Sequence, residues 1–283
     1  ASTFLLSQMK GKEAYLNPVI EDGGYRFTVK VGRPKDPEAA KNGTKLSRGA
    51  NFQCLMSTTP IESDYIKAEG AAGRMGARLM AIVAEGNRGR VYLAPTPAME
   101  SIALTAKPSW KPETPLPNDP RNFWTPAYGL STFGDLFTAR QLVALTTFSD
   151  LVQEARERVK VDAIDAGRPD EETPMREGGV GASAYGDAVE VYLGFVVSSQ
   201  SDRMTTICTW DAGGSTWGTK TRNTFARQAI PMSWDFAEVN PLSTQSGSFE
   251  NSLDYTSKGI LCAGQQPGKA CQADASTQTE SID

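Results

Sequence analysis

The sequence predicts a mixed α/β chain, and three observations carry that expectation. In its N-terminal third, one stretch alternates apolar and polar side chains and another pairs two apolar runs, each around a glycine-containing turn, the signature of β-hairpins. From Leu142 onward an apolar stripe recurs at helical spacing. Between the two patterns lies a stretch dense in proline, the best candidate boundary in the chain. The 283 residues allow one large or two modest domains, with enough core to fold without staples.

The first hairpin is expected over residues 15–31. Tyr15 to Ile20 is rich in β-formers, Asp22-Gly23-Gly24 supplies a turn of positive φ, and Tyr25, Phe27, Val29 and Val31 alternate with polar neighbours. Residues 32–49 read as a loop with one short helical turn near Asp36 to Lys41. A second hairpin is expected from Leu79–Ala84 and Arg90–Ala94, joined across Glu85 to Gly89. Pro108, Pro112, Pro115, Pro117, Pro120 and Pro126 make residues 107–126 an extended linker or surface arm.

Thr138 is placed to cap a helix whose stripe runs through Leu142, Leu145, Phe148, Val152, Ala155, Val159 and Ala163, ending near Gly167. Such a helix spans on the order of 40 Å. Glu154 and Arg158 are spaced for an i, i+4 pair worth about 0.3 kcal/mol. After an acidic, glycine-rich loop, a second helix is expected over residues 183–199, with Tyr185, Val189, Tyr192, Leu193, Val196 and Val197 on its apolar face. Ile207 and Cys208 read as a short buried segment, Phe249–Ile260 as a last helix and Ala270–Ala273 as a short strand.

Composition excludes much chemistry. Hydrophobic residues at 39% and charged residues at 22% argue against wholesale disorder. No apolar run approaches roughly 18 residues, so no membrane-spanning helix and no membrane partner is expected. The complete absence of histidine removes Ser-His-Asp and Cys-His nucleophilic machinery and every His-liganded metal site. Cys54, Cys208, Cys262 and Cys271 form no Cys-x-x-Cys pair, which points to a reducing, cytoplasmic compartment. A net charge of −4 means that any nucleic-acid surface must be a local basic patch on a mildly acidic body.

Five places could carry chemistry. Gly179 to Ala184 fits G-x-G-x-x-A, but polar residues precede it where a dinucleotide loop needs a strand, so a plain helix-start loop is favoured. Cys54 stands where a zinc ribbon would want a second cysteine at Ser57, and one thiolate cannot hold a structural zinc. Lys67, Arg74, Arg78, Arg88 and Arg90 outnumber the acids around them and are separated by glycines that allow close backbone approach to phosphate. A solvated hairpin surface is the equal alternative. Lys220, Arg222 and Arg227 interleave with Trp217 and Phe225 and precede Trp234 and Phe236, a pattern suited either to phosphates and stacked bases or to an ordinary core. Asp235 and Glu238, three apart, could share acid/base work, although capping or ion pairing is the plainer role.

Three stretches together resemble a known family. They are residues 67–81 (Lys67-Ala68-Glu69-Gly70 through Arg74-Met75-Gly76-Ala77-Arg78), residues 140–152 (Arg140-Gln141-Leu142 through Ser149-Asp150-Leu151-Val152), and residues 222–241 (Arg222-Asn223-Thr224-Phe225-Ala226-Arg227 through Trp234-Asp235, Glu238 and Asn240-Pro241). The chain is similar to the DUF1156-containing, zinc-ribbon adenine-specific DNA methylases, large bacterial proteins linked to anti-phage defence and restriction-modification. The likeness covers nearly the whole chain, but these are not the family's catalytic motifs. The resemblance implies an internal segment of an S-adenosylmethionine-dependent enzyme. The cofactor's glycine-rich loop would lie upstream, and the Asp-Pro-Pro-Tyr motif that grips an extruded adenine would lie downstream.

It further implies a β-rich region over residues 1–106 with a remnant zinc-ribbon half, a linker over 107–126, and a helical, aromatic-basic region over 127–283 approaching a Rossmann-like methyltransferase sheet. Ser57 departs from the family's cysteine pair, which weighs against zinc. Gln272-Ala273-Asp274-Ala275 resembles the strand-end acidic motif whose carboxylate, here Asp274, accepts from the cofactor's adenine amine. Double-stranded DNA is the implied partner, contacted by Arg74, Arg78, Lys220, Arg222, Arg227 and Trp234. No catalytic residue is expected here, because in the full enzyme the adenine amine would attack the cofactor's methyl group elsewhere. The alternative is a non-catalytic module docking a helicase or ATPase of a defence system.

Overall fold

Two strands and a positive-φ turn organise the N-terminal part of the computed structural model, which describes residues 1–87, 89–213 and 218–261. Strand β1 (Leu5–Ser7) pairs antiparallel with β2 (Ala14–Glu21), which pairs along its whole length with β3 (Gly24–Val31). Asp22 and Gly23 turn the corner with φ of 51° and 73°, as a tight hairpin requires. Pro18 is tolerated inside β2 because β1 reaches only Ala14 and Tyr15, leaving that edge of β2 unpaired. Phe4, Leu6, Ala14, Leu16 and Phe27 bury one face, covered by Tyr25, Val29, Leu55, Met80 and Tyr92. The alternation stops short of its expected end, since Val31 is 79% exposed.

Asp36 caps α1 (Pro37–Asn42), the short helical turn expected from the sequence. Two short strands, β4 (Phe52–Gln53) and β5 (Pro60–Ile61), lead into α2 (Ser63–Ala71). The second hairpin forms from β6 (Ile82–Gly86), which starts three residues later than expected, and β7 (Gly89–Leu93), which starts one residue earlier. Helix α3 (Pro97–Ala103) follows, capped by Thr96.

Residues 107–126 have almost no regular structure, as their prolines dictate, yet they are packed. Leu116 is buried with Leu136, Ile207 and Ile230, and Phe123, Leu130, Phe133 and Phe137 close around them. The Leu116 N–H donates to Ser131 O (2.8 Å) and the Trp124 N–H to Ile230 O (3.1 Å). A Cβ at Gly70 would stand 2.3 Å from Tyr128 O, so only glycine lets α2 lie this close to the following loop.

Helix α4 (Ala139–Asp165) starts in a reciprocal capping box between Thr138 and Gln141. It ends with Gly167 at φ 91° and the Arg168 N–H on Ala163 O. Every residue of its expected stripe is buried or half-buried. Glu154 and Arg158 do not form the expected ion pair. Instead Arg156 faces α5 (Ala182–Ser201) and binds Asp187 at 2.6 Å and Glu190 at 3.3 Å.

The face of α5 also differs from expectation, since Tyr185 and Tyr192 are exposed while Ala182, Ser183, Ala184 and Gly186 are buried. Small side chains win that face because the helices approach closely: a Cβ at Gly186 would lie 3.1 Å from Arg156 O.

Ile207 and Cys208 are buried as expected. The hairpin of β8 (Trp210–Asp211) and β9 (Lys220–Thr221) follows, and then α6 (Phe249–Leu261), whose Phe249 ring stacks on Phe148 at 4.7 Å. All named strand ladders among the described residues are antiparallel, so the fold is a mixture of helices and small antiparallel sheets. No helix among those residues is long and apolar enough to cross a membrane. The strand expected at Ala270–Ala273 lies outside the described residues.

Candidate nucleic-acid interface

The six residues expected to contact DNA are spread over several places. Arg74 stands just beyond α2 and holds Glu69 with two hydrogen bonds, 2.8 and 2.9 Å, which keep the Glu69 carboxyl below its ordinary pKa. Arg78 reaches Glu100 at 3.2 Å and lies 5.2 Å from the Tyr25 ring centre. Arg227 is exposed over Trp124, 5.7 Å from its ring centre. Trp234 is half-buried, edge-on to both Phe52 and Tyr128 at 5.2 Å, so its ring has core neighbours. Lys220 and Arg222 belong to the β8–β9 hairpin, where Arg222 meets Asp211 at 2.7 Å. Asp274, Arg88 and Trp217 lie outside the described residues.

The structure does bring together two basic stretches that are distant in sequence. Arg90, on β7, donates to the carbonyl and the hydroxyl oxygen of Thr219, and its guanidinium lies 5.5 Å from the Trp210 ring centre. Thr219 adjoins Lys220, so the β6–β7 and β8–β9 hairpins share one edge. The turn between β1 and β2 completes that edge. There the Gln8 N–H donates to Ala212 O (2.8 Å), the Trp210 indole donates to Leu6 O (2.8 Å), and a Cβ at Gly89 would stand 3.2 Å from Lys12 Nζ.

Lys10 and Lys12 were not singled out from the sequence. Their signal was legible: Lys10-Gly11-Lys12 is a basic turn around a glycine with φ of 78°. Beside the edge runs an open groove of about 320 Å³ lined in part by Lys41, Trp210, Asp211 and Arg222. A larger depression of about 540 Å³ on α4 and α5 is lined by Asp150, Glu154, Glu157 and Glu190 around Arg156, and its sign repels phosphate.

Arg74 and Arg78 do not extend this edge. Tyr25, beside Arg78, adjoins the β2–β3 turn, whereas Lys12 precedes the other end of β2. Eight extended residues separate those ends by on the order of 25 Å.

Asp235 and Glu238 do not share a pocket. Asp235 accepts from the Ser2 N–H at 2.7 Å, while Glu238 forms two hydrogen bonds with Arg140 at 2.7 and 2.9 Å. Both act structurally, which was the plainer of the two readings.

The described residues do not fit a dinucleotide or S-adenosylmethionine loop at Gly179–Ala184. A 3-10 turn (Met175–Glu177) precedes it in place of a strand, a Cβ at Gly179 would meet Thr173 O at 1.9 Å, and the Gly181 N–H donates to the Glu171 carboxylate at 3.1 Å. That helix start is already occupied by the protein's own anion.

Zinc fits no better. Cys54 is a free thiol, held below its ordinary pKa by hydrogen bonds from Ser57 and from the Met56 backbone. Among the described residues no cluster of three or more His, Cys, Asp or Glu is placed to hold a metal ion. No family model, curated protein or solved structure matches the chain.

Proposed function

We propose that this chain is an internal part of an S-adenosylmethionine-dependent DNA adenine-N6 methyltransferase, leading toward that enzyme's Rossmann-like sheet. Within it, the chain holds double-stranded DNA and supplies scaffold, and it is inactive alone. The observation that carries this reading is the convergence of Arg90, Lys220 and Arg222 on one edge of a chain whose net charge is −4. A local basic edge on an acidic body is what phosphate binding requires. The three stretches that carry the family resemblance are also neighbours in space. Arg140 grips Glu238, and Trp234 lies against Tyr128, whose backbone packs on Gly70. Phosphate contacts of this kind position a duplex without reading its sequence.

The experiment mixes the isolated chain with duplex DNA and S-adenosylmethionine, following fluorescence anisotropy and methyl incorporation. Binding that weakens steeply with salt, with no methyl transfer, is the expected result. Methyl transfer by the chain alone would overturn the assignment. Arg222→Ala with Arg227→Ala is expected to weaken binding; unchanged affinity and salt dependence would remove these two residues from the interface.

A second reading, docking of a helicase or ATPase partner, is favoured by one observation. Helix α5 exposes Val191, Tyr192 and Phe195 on its outer surface, the last at 59%. Salt separates the two, because an apolar interface lacks the steep salt dependence of phosphate contacts.

A further inference from the structure

We propose that residues 8–13, 89–90 and 218–222, where three hairpins meet, form one clamp for the DNA sugar–phosphate backbone, with Lys10, Lys12 and Lys220 as its main cationic contacts. This rests on the DNA-holding reading and assigns it to a specific edge, including two lysines, Lys10 and Lys12, that the resemblance did not imply as contacts.

Charge accounting supports the clamp. Three carboxylates belong to these turns and their flanks; two are paired with a cation, and the third, Glu85, bonds a neutral amide and keeps its charge against the three lysines and Arg90. Glu13 faces Arg33 at 3.4 Å, Asp211 holds Arg222, and Glu85 accepts from the Gln245 side-chain amide. No described carboxylate lies within ion-pair distance of Lys10, Lys12 or Lys220. Their charges are therefore available to an external anion, whereas Arg222 must share its charge with Asp211.

Backbone geometry supports it too. Gly11, Gly89, Gly213 and Gly218 all have positive φ, and a Cβ at Gly11 would meet nothing within 4 Å. At Gly11 that open space lets a phosphate approach main-chain N–H groups as well as the lysines, whereas Gly213 and Gly218 lie against the Met9 side chain.

The edge is held in place before any ligand arrives. Arg90 ties β7 to Thr219, the Trp210 indole ties β8 to Leu6, and the Gln8 N–H ties the first turn to Ala212. Cations fixed on a prearranged frame lose less freedom on binding than cations on loose loops.

The test compares the full chain with a Lys10→Ala/Lys12→Ala/Lys220→Ala variant, titrating labelled duplex DNA between about 50 and 200 mM KCl. Each lost phosphate contact lowers the log–log salt slope by about 0.9, so the triple variant should bind at least about tenfold more weakly with a slope smaller by about 2–3. An Arg158→Ala/Arg168→Ala/Arg176→Ala variant, which removes equal charge from the helical side, should stay within about twofold of wild type if contacts are local. Equal losses in both variants, or a triple variant with wild-type affinity and slope, would overturn the clamp while leaving DNA binding intact. If the unaltered chain binds no duplex even at the lowest salt, the DNA-holding reading and the clamp both fall. Lys10 and Lys12 are exposed and Lys220 is half-buried, and matched circular dichroism melts should confirm that the variants fold.

Discussion

The helical pair α4–α5 and the irregular core around Leu136 reach burial by opposite routes. In the pair, periodic local sequence places Val152, Ala163 and Val196 inside, while close approach selects the small Ala182, Ser183, Ala184 and Gly186. Close approach then lets Arg156 bridge to Asp187 and Glu190. In the irregular core, Leu116, Leu136, Ile207 and Ile230 come from four segments that themselves lie outside any α-helix or β-strand. Backbone hydrogen bonds across long sequence separations hold that core, such as Thr206 N–H to Leu136 O at 2.7 Å and Ile230 N–H to Asn122 O at 2.7 Å. The contrast teaches that a helix pair can rest on many small increments, whereas a loop-built core depends on a few large side chains.

The largest expected effect breaks the second region. Leu136 is 2% exposed, and Leu136→Ala should cost about 3 kcal/mol, read as a lowered denaturation midpoint, because neighbours from four segments cannot collapse into the void together. A loss below about 1 kcal/mol would mean that this core is loosely packed and would erase the comparison.

A smaller effect sharpens the first region. Asp187 accepts the Met175 N–H at 2.9 Å and the Arg156 Nε–H at 2.8 Å, and these bonds hold its carboxyl below the ordinary carboxylate range. Asp187→Asn should therefore cost about 1–2 kcal/mol at neutral pH. A lowered folded pKa means that the stabilisation is fully present above about 4, the unfolded value, and fades as pH falls through the lower folded value. Melts of wild type and variant from pH 7 to pH 3 should run parallel and then converge at the acid end. A gap that widens on acidification would contradict the assignment.

The smallest effect concerns the start of α4. Thr138→Ala removes one half of the capping box and should cost about 1 kcal/mol, visible as a modest drop in melting temperature. Together the three substitutions rank the contributions of side-chain volume, charge-assisted hydrogen bonding and capping in this molecule.

Local patterns were legible without coordinates. The positive-φ turn at Asp22-Gly23, the Thr138 cap, the apolar stripe of α4, the buried pair Ile207–Cys208 and the last helix follow from rules that act over a few residues. The face of α5 was legible in part: Val189, Leu193, Val196 and Val197 are buried or half-buried as expected, but Tyr185 and Tyr192 are exposed, because periodicity could not say which side meets α4. Only the close crossing at Gly186 does. The ion-pair partner on α4 was misread for the same reason: Arg156, not Arg158, points at the neighbouring helix.

The candidate interface divides along the same line. Sequence alone located the basic stretches at residues 67–90, where cations outnumber Glu69 and Glu85, and 220–227, where no acid intervenes, since such imbalances are visible in one dimension. Tertiary structure decided which of them share an edge: Arg90 meets Thr219, Lys12 comes beside Gly89, and Arg78 is carried to the far end of β2. Turn chemistry and helical periodicity are written in neighbouring residues, but the meeting of three hairpin turns depends on contacts between residues that lie 129 and 204 positions apart, which only packing can set.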